Sequence, residues 1–395
     1  MNNNAISTIV NAAYAQATGS AAVDTLDLYE IIDKGTASNL FTTSREQFTK
    51  ALIEQCAKFI FTDESYQKQY NDPYFVDSRR FASVTQLISV EAPAVKENPA
   101  WKAYTSGSST IGTYTVYLPV IESKLYAKTA SYSLDIAITN EQWDDAVRSA
   151  DELARLVDYI FLAVENALIQ HREDMNAANR NNFIAEKIAA EADANVDGVH
   201  VVNLLTLYNS ERGKSIATVA AFRSDPDAMR FAAKTIMLYT EYLQKQTAIF
   251  NTEGKVKFVP RDRIVLEVNS AFETGLEEVA LSSTYHDAMV SLPSYHSVPY
   301  WQSPTGASSL LDFDTVTTID VALDSNTDIT QSGVVALLAD KYCIMHTIRS
   351  ERVASQYFDI DAMTLYSYQN RDAYMNNLGL PAVVFILEAP SQGNG

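Results

Sequence analysis

YTVYLPVIESKLYAKTASYSLDIAI, residues 114–138, has a period of two. The even positions run Tyr114, Val116, Leu118, Val120, Glu122, Lys124, Tyr126, Lys128, Ala130, Tyr132, Leu134, Ile136 and Ile138, while the odd ones are mostly Thr, Ser, Ala and Asp. Side chains of a strand point alternately to its two faces, so this is the pattern of a half-buried β-strand. At about 3.3 Å per residue the stretch would extend about 80 Å if unbroken. A compact body of this chain length has a radius of gyration of only about 21 Å, so a ribbon of that length protrudes.

RFASVTQLISVEAP (80–93) alternates less cleanly and is the expected partner, with AVKENPAWKAYTSGSSTIG (94–112) as the tip between the two strands. A two-stranded hairpin is marginal alone in water, so its apolar face, Tyr114, Val116, Leu118 and Val120, needs a second surface. A neighbouring copy of the chain supplies one most economically. Trp101 and Tyr104 are the candidate anchors of that contact, because aromatic side chains dominate interface energetics; packing within their own subunit is the other reading.

The period changes after Ile138. In TNEQWDDAVRSADELARLVDYIFLAVENALIQHRED (139–174), Thr139 and Gln142 have capping-box spacing, and Trp143, Val147, Ala150, Leu153, Val157, Ile160, Val164 and Leu168 recur every three or four residues. This is a long amphipathic helix, with a continuation weakened by the Asn-rich NRNNF (179–183). Ahead of the ribbon, AISTIVNAAYAQATG (5–19) reads as a helix ending near Gly19, and SREQFTKALIEQCAKFIF (44–61) as another opened by Ser44 and Gln47. Beyond Gly198 the pattern is mixed. VHVVNLLTLY (199–208) is a strand or a buried helix, DPDAMRFAAKTIMLYTEYLQKQ (225–246) a helix with Pro226 in its first turn, and ETGLEEVAL (273–281) a short helix. RIVLEVN (263–269), TVTTIDVAL (315–323), GVVALLA (333–339) and YCIMHTI (342–348) are strands, followed by an aromatic-rich end and a polar tail. The fold class is α+β.

At 395 residues, 47% hydrophobic and 20% charged, the chain is long enough for more than one core and has the composition of a folded protein. No run approaches the roughly 20 apolar residues of a membrane span, and the first residues lack the pattern of a secretion signal, which points to a cytoplasm. Two cysteines, Cys56 and Cys343, make no disulfide framework. Thirty basic against 49 acidic side chains give a net charge of -19, which disfavours general binding to nucleic acid, since phosphate contacts require Lys and Arg.

Searching for chemistry yields no catalytic, cofactor or metal residues. NSERGKS (209–215) ends like a P-loop, but Tyr208 stands where that motif needs its first Gly. GSSTIG (107–112) lacks the flanking glycines of a nucleophile elbow and precedes a strand where the elbow needs a helix. His171, His200, His286, His296 and His346 have neither i, i+4 pairing nor Cys partners, and Asp144–Asp145 fits a solvated first helical turn.

The order of parts resembles the major capsid protein fold of tailed bacteriophages (the Hong Kong 97 type), shared with encapsulins and the floor of herpesvirus shells, and is most similar to coat proteins of small short-tailed phages (podoviruses). The residues that carry the likeness are NEQWDDAVRSADELARLVDYIFLAVENALIQ (140–170) as spine helix, PRDRIVLEVNSAFETGLEEVAL (260–281) as a strand and helix of the axial domain, and ADKYCIMHTIRSERVASQYFDIDAMTLYSYQNRDAYMNNLGLPAVVFI (339–386) as return strands. The resemblance implies an N-terminal arm at 1–82, an extended β-hairpin loop at 83–138 lying over an adjacent subunit, a peripheral domain from 139–195 and 347–390, and an axial domain at 196–346. It also implies a structural, non-enzymatic protein that assembles through hexamers and pentamers into an icosahedral or prolate head around double-stranded DNA. Its implied partners are itself, a separate scaffolding protein and a portal, without sequence-specific DNA binding and without a membrane. Assembly in the host bacterial cytoplasm and residence in the virion capsid follow. Some relatives crosslink a loop Lys to an Asn; Lys96, Lys102, Lys124 and Lys128 lie in the loop, but solubility accounts for them and no crosslink is expected.

An encapsulin-like nanocompartment shell and a soluble α+β enzyme are the competing readings. Size-exclusion chromatography separates the last from the others: a 43.7 kDa enzyme elutes as a small oligomer, whereas a coat protein yields hexamers, sheets or shells.

Overall fold

The computed structural model describes residues 3–19, 47–48, 51–52, 55, 73–76, 85–90, 121–126, 129–139, 141–142, 145, 150–194, 199–282, 294–303, 310–324, 327–358 and 363–388. In chain order, α1 (Asn3–Thr18) precedes strands β1 (Thr85–Val90), β2 (Ile121–Tyr126) and β3 (Ala130–Thr139), and the long helix α2 (Ala150–Ala194) follows. Next come β4 (Val201–Asn203), α3 (Leu204–Arg212), α4 (Val219–Ser224), α5 (Pro226–Leu243), β5 (Ile264–Asn269), α6 (Ser270–Ser282), β6 (His296–Val298) and α7 (Phe313–Thr317). The chain closes with β7 (Ile319–Asp324), β8 (Thr327–Gln331), β9 (Val334–Asp340), β10 (Ile344–Phe358), β11 (Met363–Asn376) and β12 (Ala382–Ile386). The α+β class expected from the sequence is the class observed. Two compact units result: unit 1 comprises 1–82, 128–177 and 346–374, and unit 2 comprises 83–127, 178–345 and 375–395.

In unit 1 the strand order is β10-β11-β3, with β3 antiparallel to β11 from Thr139↔Met363 to Ala130↔Asp372. Burial along β3 alternates strictly: Tyr132, Leu134, Ile136 and Ile138 turn inward while Ser131, Ser133, Asp135 and Ala137 face out. The inward row meets Ile160, Val164 and Leu168, one i, i+4, i+8 stripe of α2. The even-position phase of the ribbon is therefore correct, but its continuity is not. The stretch expected as one strand from Tyr114 to Ile138 breaks after Tyr126, and its two pieces join different sheets, β2 with β1 and β3 with β11. The physical reason stands in the even positions themselves: Glu122, Lys124 and Lys128 interrupt the apolar row that resumes at Tyr132 and packs on α2.

The expected capping box forms ahead of α2, where residues 141–142 are helical: Gln142 N–H donates to Thr139 Oγ1 (3.3 Å) and Thr139 N–H to Gln142 Oε1 (3.2 Å). Farther along, Leu153 and Val157 pack with Ile9, Val10, Ala13 and Tyr14 of α1 and with Phe48, Ala51 and Leu52. α1 ends as expected at Gly19, whose φ of 67° suits the left-handed stop of a helix.

A buried ionic knot ties four elements of unit 1. Asp372 Oδ2 on β11 accepts from Arg172 Nε on α2 (3.0 Å) and from Tyr132 OH on β3 (2.8 Å), and His346 Nε2 on β10 lies 3.6 Å away. Arg172 and Asp372 are 1% and 0% exposed. Burial alone would raise the Asp372 pKa, but His346, Arg172 and Tyr132 together draw it below the usual carboxylate range. The His346 ring stacks on Tyr374 at 4.6 Å.

Unit 2 is organised by a five-stranded sheet in the order β4-β12-β9-β5-β6, mixed in direction, with every residue of the central β9 buried. Its core joins β4, β5, β9 and β12 to α3, α4, α5 and α6 through residues such as Leu205, Phe222, Met229, Ile236, Phe272 and Phe385. Local chemistry sets the helix ends. Asn203 Oδ1 accepts from Leu205 and Thr206 N–H at the start of α3, and Asp225 accepts from Asp227 N–H ahead of Pro226 in α5. Gly213, the Gly of the P-loop-like stretch, is the left-handed cap of α3. Gly333 has no substitute: φ is +70° and a Cβ would collide with the Leu387 carbonyl.

The Asn-rich stretch of α2 does not end the helix, which continues to Ala194 and is about 65 Å long. Asn181 Nδ2 donates to the Trp301 carbonyl (2.6 Å), and Asn376 Nδ2 donates to the Asn179 carbonyl (3.2 Å). Tertiary hydrogen bonds override the weak helix propensity there. Near the helix end, the Glu191 carboxylate collects the N–H groups of Val199, His200 and Val201 at 2.7–3.2 Å.

Replacing Asp372 by Ala leaves Arg172 buried without its carboxylate and is expected to destabilise the protein by about 3 kcal/mol or more. Chemical denaturation of D372A against wild type measures the difference.

Candidate assembly interface

β1 and β2 pair antiparallel from Thr85↔Tyr126 to Val90↔Ile121, which makes the expected strand partners the base of a hairpin. The 30 residues between them, 91–120, include Trp101, Tyr104, Tyr114, Val116, Leu118 and Val120, and all six lie outside the described residues.

Alternation divides the base into two faces. One carries Lys124, whose Nζ donates to Glu253 Oε1 and to Asn377 Oδ1 (3.1 Å). Glu253 also accepts from Lys257 Nζ (3.2 Å), which donates in turn to the Gly379 carbonyl (2.8 Å). Burial pushes the Glu253 pKa upward, but the hydrogen bonds from Lys124 and Lys257 outweigh it and the net shift is downward. Lys124 is thus a clamp, two-thirds covered, and not the free solubilising lysine expected of an exposed hairpin. The opposite face is open. Ile88, across from Ser123, is 59% exposed, and Leu125, across from Gln86, is 67% exposed. On β2 the exposed apolar residue occupies an odd position, whereas the face expected from the sequence, Tyr114, Val116, Leu118 and Val120, lies outside the described residues.

The remaining reactive side chains have structural settings. Cys343 is fully buried and its thiol is pushed up to about 12, chiefly by burial, which leaves it protonated and unreactive at neutral pH. Lys187 is fully buried with Nζ 3.4 Å from the Phe250 carbonyl and 3.3 Å from that of Leu378, its pKa lowered to about 8 by burial. His171 lies against the Tyr132 ring at 4.1 Å, and His286 is outside the described residues. Among the described residues no group of three or more His, Cys, Asp and Glu side chains is placed to hold a metal ion, and no helix is long and apolar enough to cross a membrane.

A family model described as the Phi29-like phage major capsid protein matches residues 4–386. The chain belongs to that family. Its role is structural, as a building block of a phage capsid shell, its place is the virion capsid, and its α+β fold is that of a tailed-phage major capsid protein. Solved structures similar to this capsid protein include a chain from the capsid of Staphylococcus phage Andhra, with 8% identity, 80% of this chain and 83% of that chain covered, and a TM-score of 0.46. A chain from the structure of the head fiber and inner core protein of native bacteriophage P68 shows 9% identity, 80% and 83% coverage and a TM-score of 0.49. A chain from the capsid of Cyanophage P-SCSP1u shows 13% identity, 81% and 88% coverage and a TM-score of 0.44. No match is found among curated protein sequences.

The clamp generates a signed pH dependence. Glu253 has a depressed pKa in the folded state, so its contribution is complete above the ordinary value of 4.5 and is lost as the pH falls below it through the folded value. Limited proteolysis of the hairpin base is expected to accelerate on acidification through that window. Lys124→Met is expected to cost about 1 kcal/mol and to give the same acceleration already at neutral pH.

Proposed function

We propose that this capsid protein builds an icosahedral or prolate head around double-stranded DNA through hexamers and pentamers, with residues 83–127 as the extended loop reaching across an adjacent subunit; the remainder of the expected loop, to 138, is held in its own subunit by β3 against β11 and α2. The observation that carries the reading is the hairpin base: two paired strands, clamped on one face, that leave 30 intervening residues and the open apolar side of Ile88 and Leu125 to find a partner. Trp101 and Tyr104 anchor that contact, and Tyr114, Val116, Leu118 and Val120 line it. Laying such an arm along a second subunit buries on the order of 1,500 Å² of surface, enough for a specific interface. Residues 1–82 serve as the N-terminal arm, 139–195 and 347–374 as the peripheral domain, and 196–346, joined by β12, as the axial domain at the centre of each capsomer.

The chain works without catalysis. A separate scaffolding protein and a portal are its assembly partners in the host cytoplasm. Its net charge of -19 suits a wall that encloses DNA and later releases it without sequence-specific contacts.

Deletion of residues 96–112 tests the reading. The truncated chain is expected to keep its helical circular dichroism and cooperative melting yet to form no regular particles in negative-stain electron microscopy. Unfolding of the variant places the segment in the subunit's own core, and regular shells without it remove the loop from assembly.

A further inference from the structure

Unit 2 carries two apolar surface features that do not meet. The first is a pair ahead of α7: Leu310 is 51% exposed and Leu311 is 95% exposed, a leucine almost wholly in water. The second is a face at the C-terminal end of α5 and the following turn, where Leu238, Tyr242, Ile249, Val256 and Phe258 are each between 42% and 56% exposed. Leu238 and Tyr242 share one side of the helix at i, i+4. Val259 N–H donates to the Leu243 carbonyl (2.9 Å), and residues 247 and 257 pair, which brings Val256 and Phe258 alongside the helix end. Together the five side chains offer on the order of 500 Å² of apolar surface, a size that marks interaction sites on soluble proteins.

The fold keeps the two features apart. Leu310–Leu311 lies where β5 ends, since Asn269 Nδ2 of β5 donates to the Val316 carbonyl of α7 (3.0 Å) and the Arg223 guanidinium just before α5 sits 4.1 Å over the Phe313 ring. The apolar face lies where β5 begins: Ala382 N–H at the start of β12 donates to the Phe250 carbonyl, and Ala382 pairs with Ala339, which also pairs with Val265. α5 runs from one place to the other, and its 18 residues measure about 27 Å. Within one rigid unit the leucines cannot reach the face.

Charge is complementary as well. Exposed Asp312 and Asp314 flank the leucines, whereas exposed Lys234 and Lys245 flank the face, with Glu241 the acidic residue among them. Local basic character of this kind stands out in a chain of net charge -19.

We propose that these features are the two halves of one head-to-tail contact between copies: Leu310 and Leu311 of one subunit enter the face of Leu238, Tyr242, Ile249, Val256 and Phe258 on the next. A contact between two different patches repeats from copy to copy and closes into a ring when its rotation allows, which is the geometry a capsomer requires. The inference rests on the reading of the chain as a shell-forming subunit and names the surfaces that reading leaves open.

The full-length chain carrying Leu311→Cys and Val256→Cys together tests it, with each single variant and wild type as controls. On mild oxidation of assembled material, the double variant is expected to give a non-reducible-by-heat ladder of dimers, trimers and higher oligomers that collapses with dithiothreitol, while wild type gives none. Dimers alone mean a symmetric pairing and overturn the head-to-tail contact. Absence of any ladder in particles that form normally overturns the contact while leaving the shell reading intact; failure of wild type to assemble even when co-expressed with its scaffolding protein overturns both. Leu311→Asp supplies an independent measurement, because a side chain so exposed contributes little to the fold. Its circular dichroism and melting are expected to match wild type, and its threshold concentration for assembly to rise at least tenfold. An unchanged threshold overturns the proposal.

Discussion

An unbroken hydrogen-bond ladder along α2 is the constraint on which the other elements depend. Over 45 residues it presents one apolar stripe after another: Leu153 and Val157 to the N-terminal helices, Ile160, Val164 and Leu168 to the inward row of β3, and Phe183 and Ile184 to the interior of unit 2. Within unit 1 the first two clusters hold their register because they share this helix, so a break in the ladder between Val157 and Ile160 would loosen one from the other. Asn179 and Asn181 are the places where intrinsic propensity would permit the ladder to break, and tertiary hydrogen bonds hold both.

Sequence periodicity captured what apolar spacing can express. The phase of β3, the capping box at Thr139, the stop at Gly19, Pro226 in the first turn of α5 and the strands at 264–269 and 334–340 all follow from alternation, caps or turn chemistry. The break after Tyr126 was written in Glu122, Lys124 and Lys128, but a count of alternating positions passes over polar residues that keep the phase. β10 and β11, at 15 and 14 residues the longest described strands, were harder to read because His346, Arg349, Asn370 and Asp372 point into the protein. A buried polar residue carries no hydrophobic signal; only its partners, 200 positions away in the case of Arg172 and Asp372, reveal why it is inside.

The same limit applies to the assembly surface. Sequence located the hairpin but assigned Lys124 to solvent, since a lysine's partner across 129 positions leaves no trace in its neighbours. Leu311 and Phe258 sit in short irregular segments with no period to analyse, and their exposure emerges only from the folded unit.

The topology also bears on how the protein is made. β3 finds β11 more than 220 residues later, and β4 pairs in parallel with β12, whose first residue is Ala382. A nascent chain still on the ribosome therefore holds neither finished sheet: both close only after the last strands have emerged, and long-range pairing of this kind is slow. Subunits become competent to join one another only after β12 has been made and paired, which separates the synthesis of the early segments from lattice growth in time.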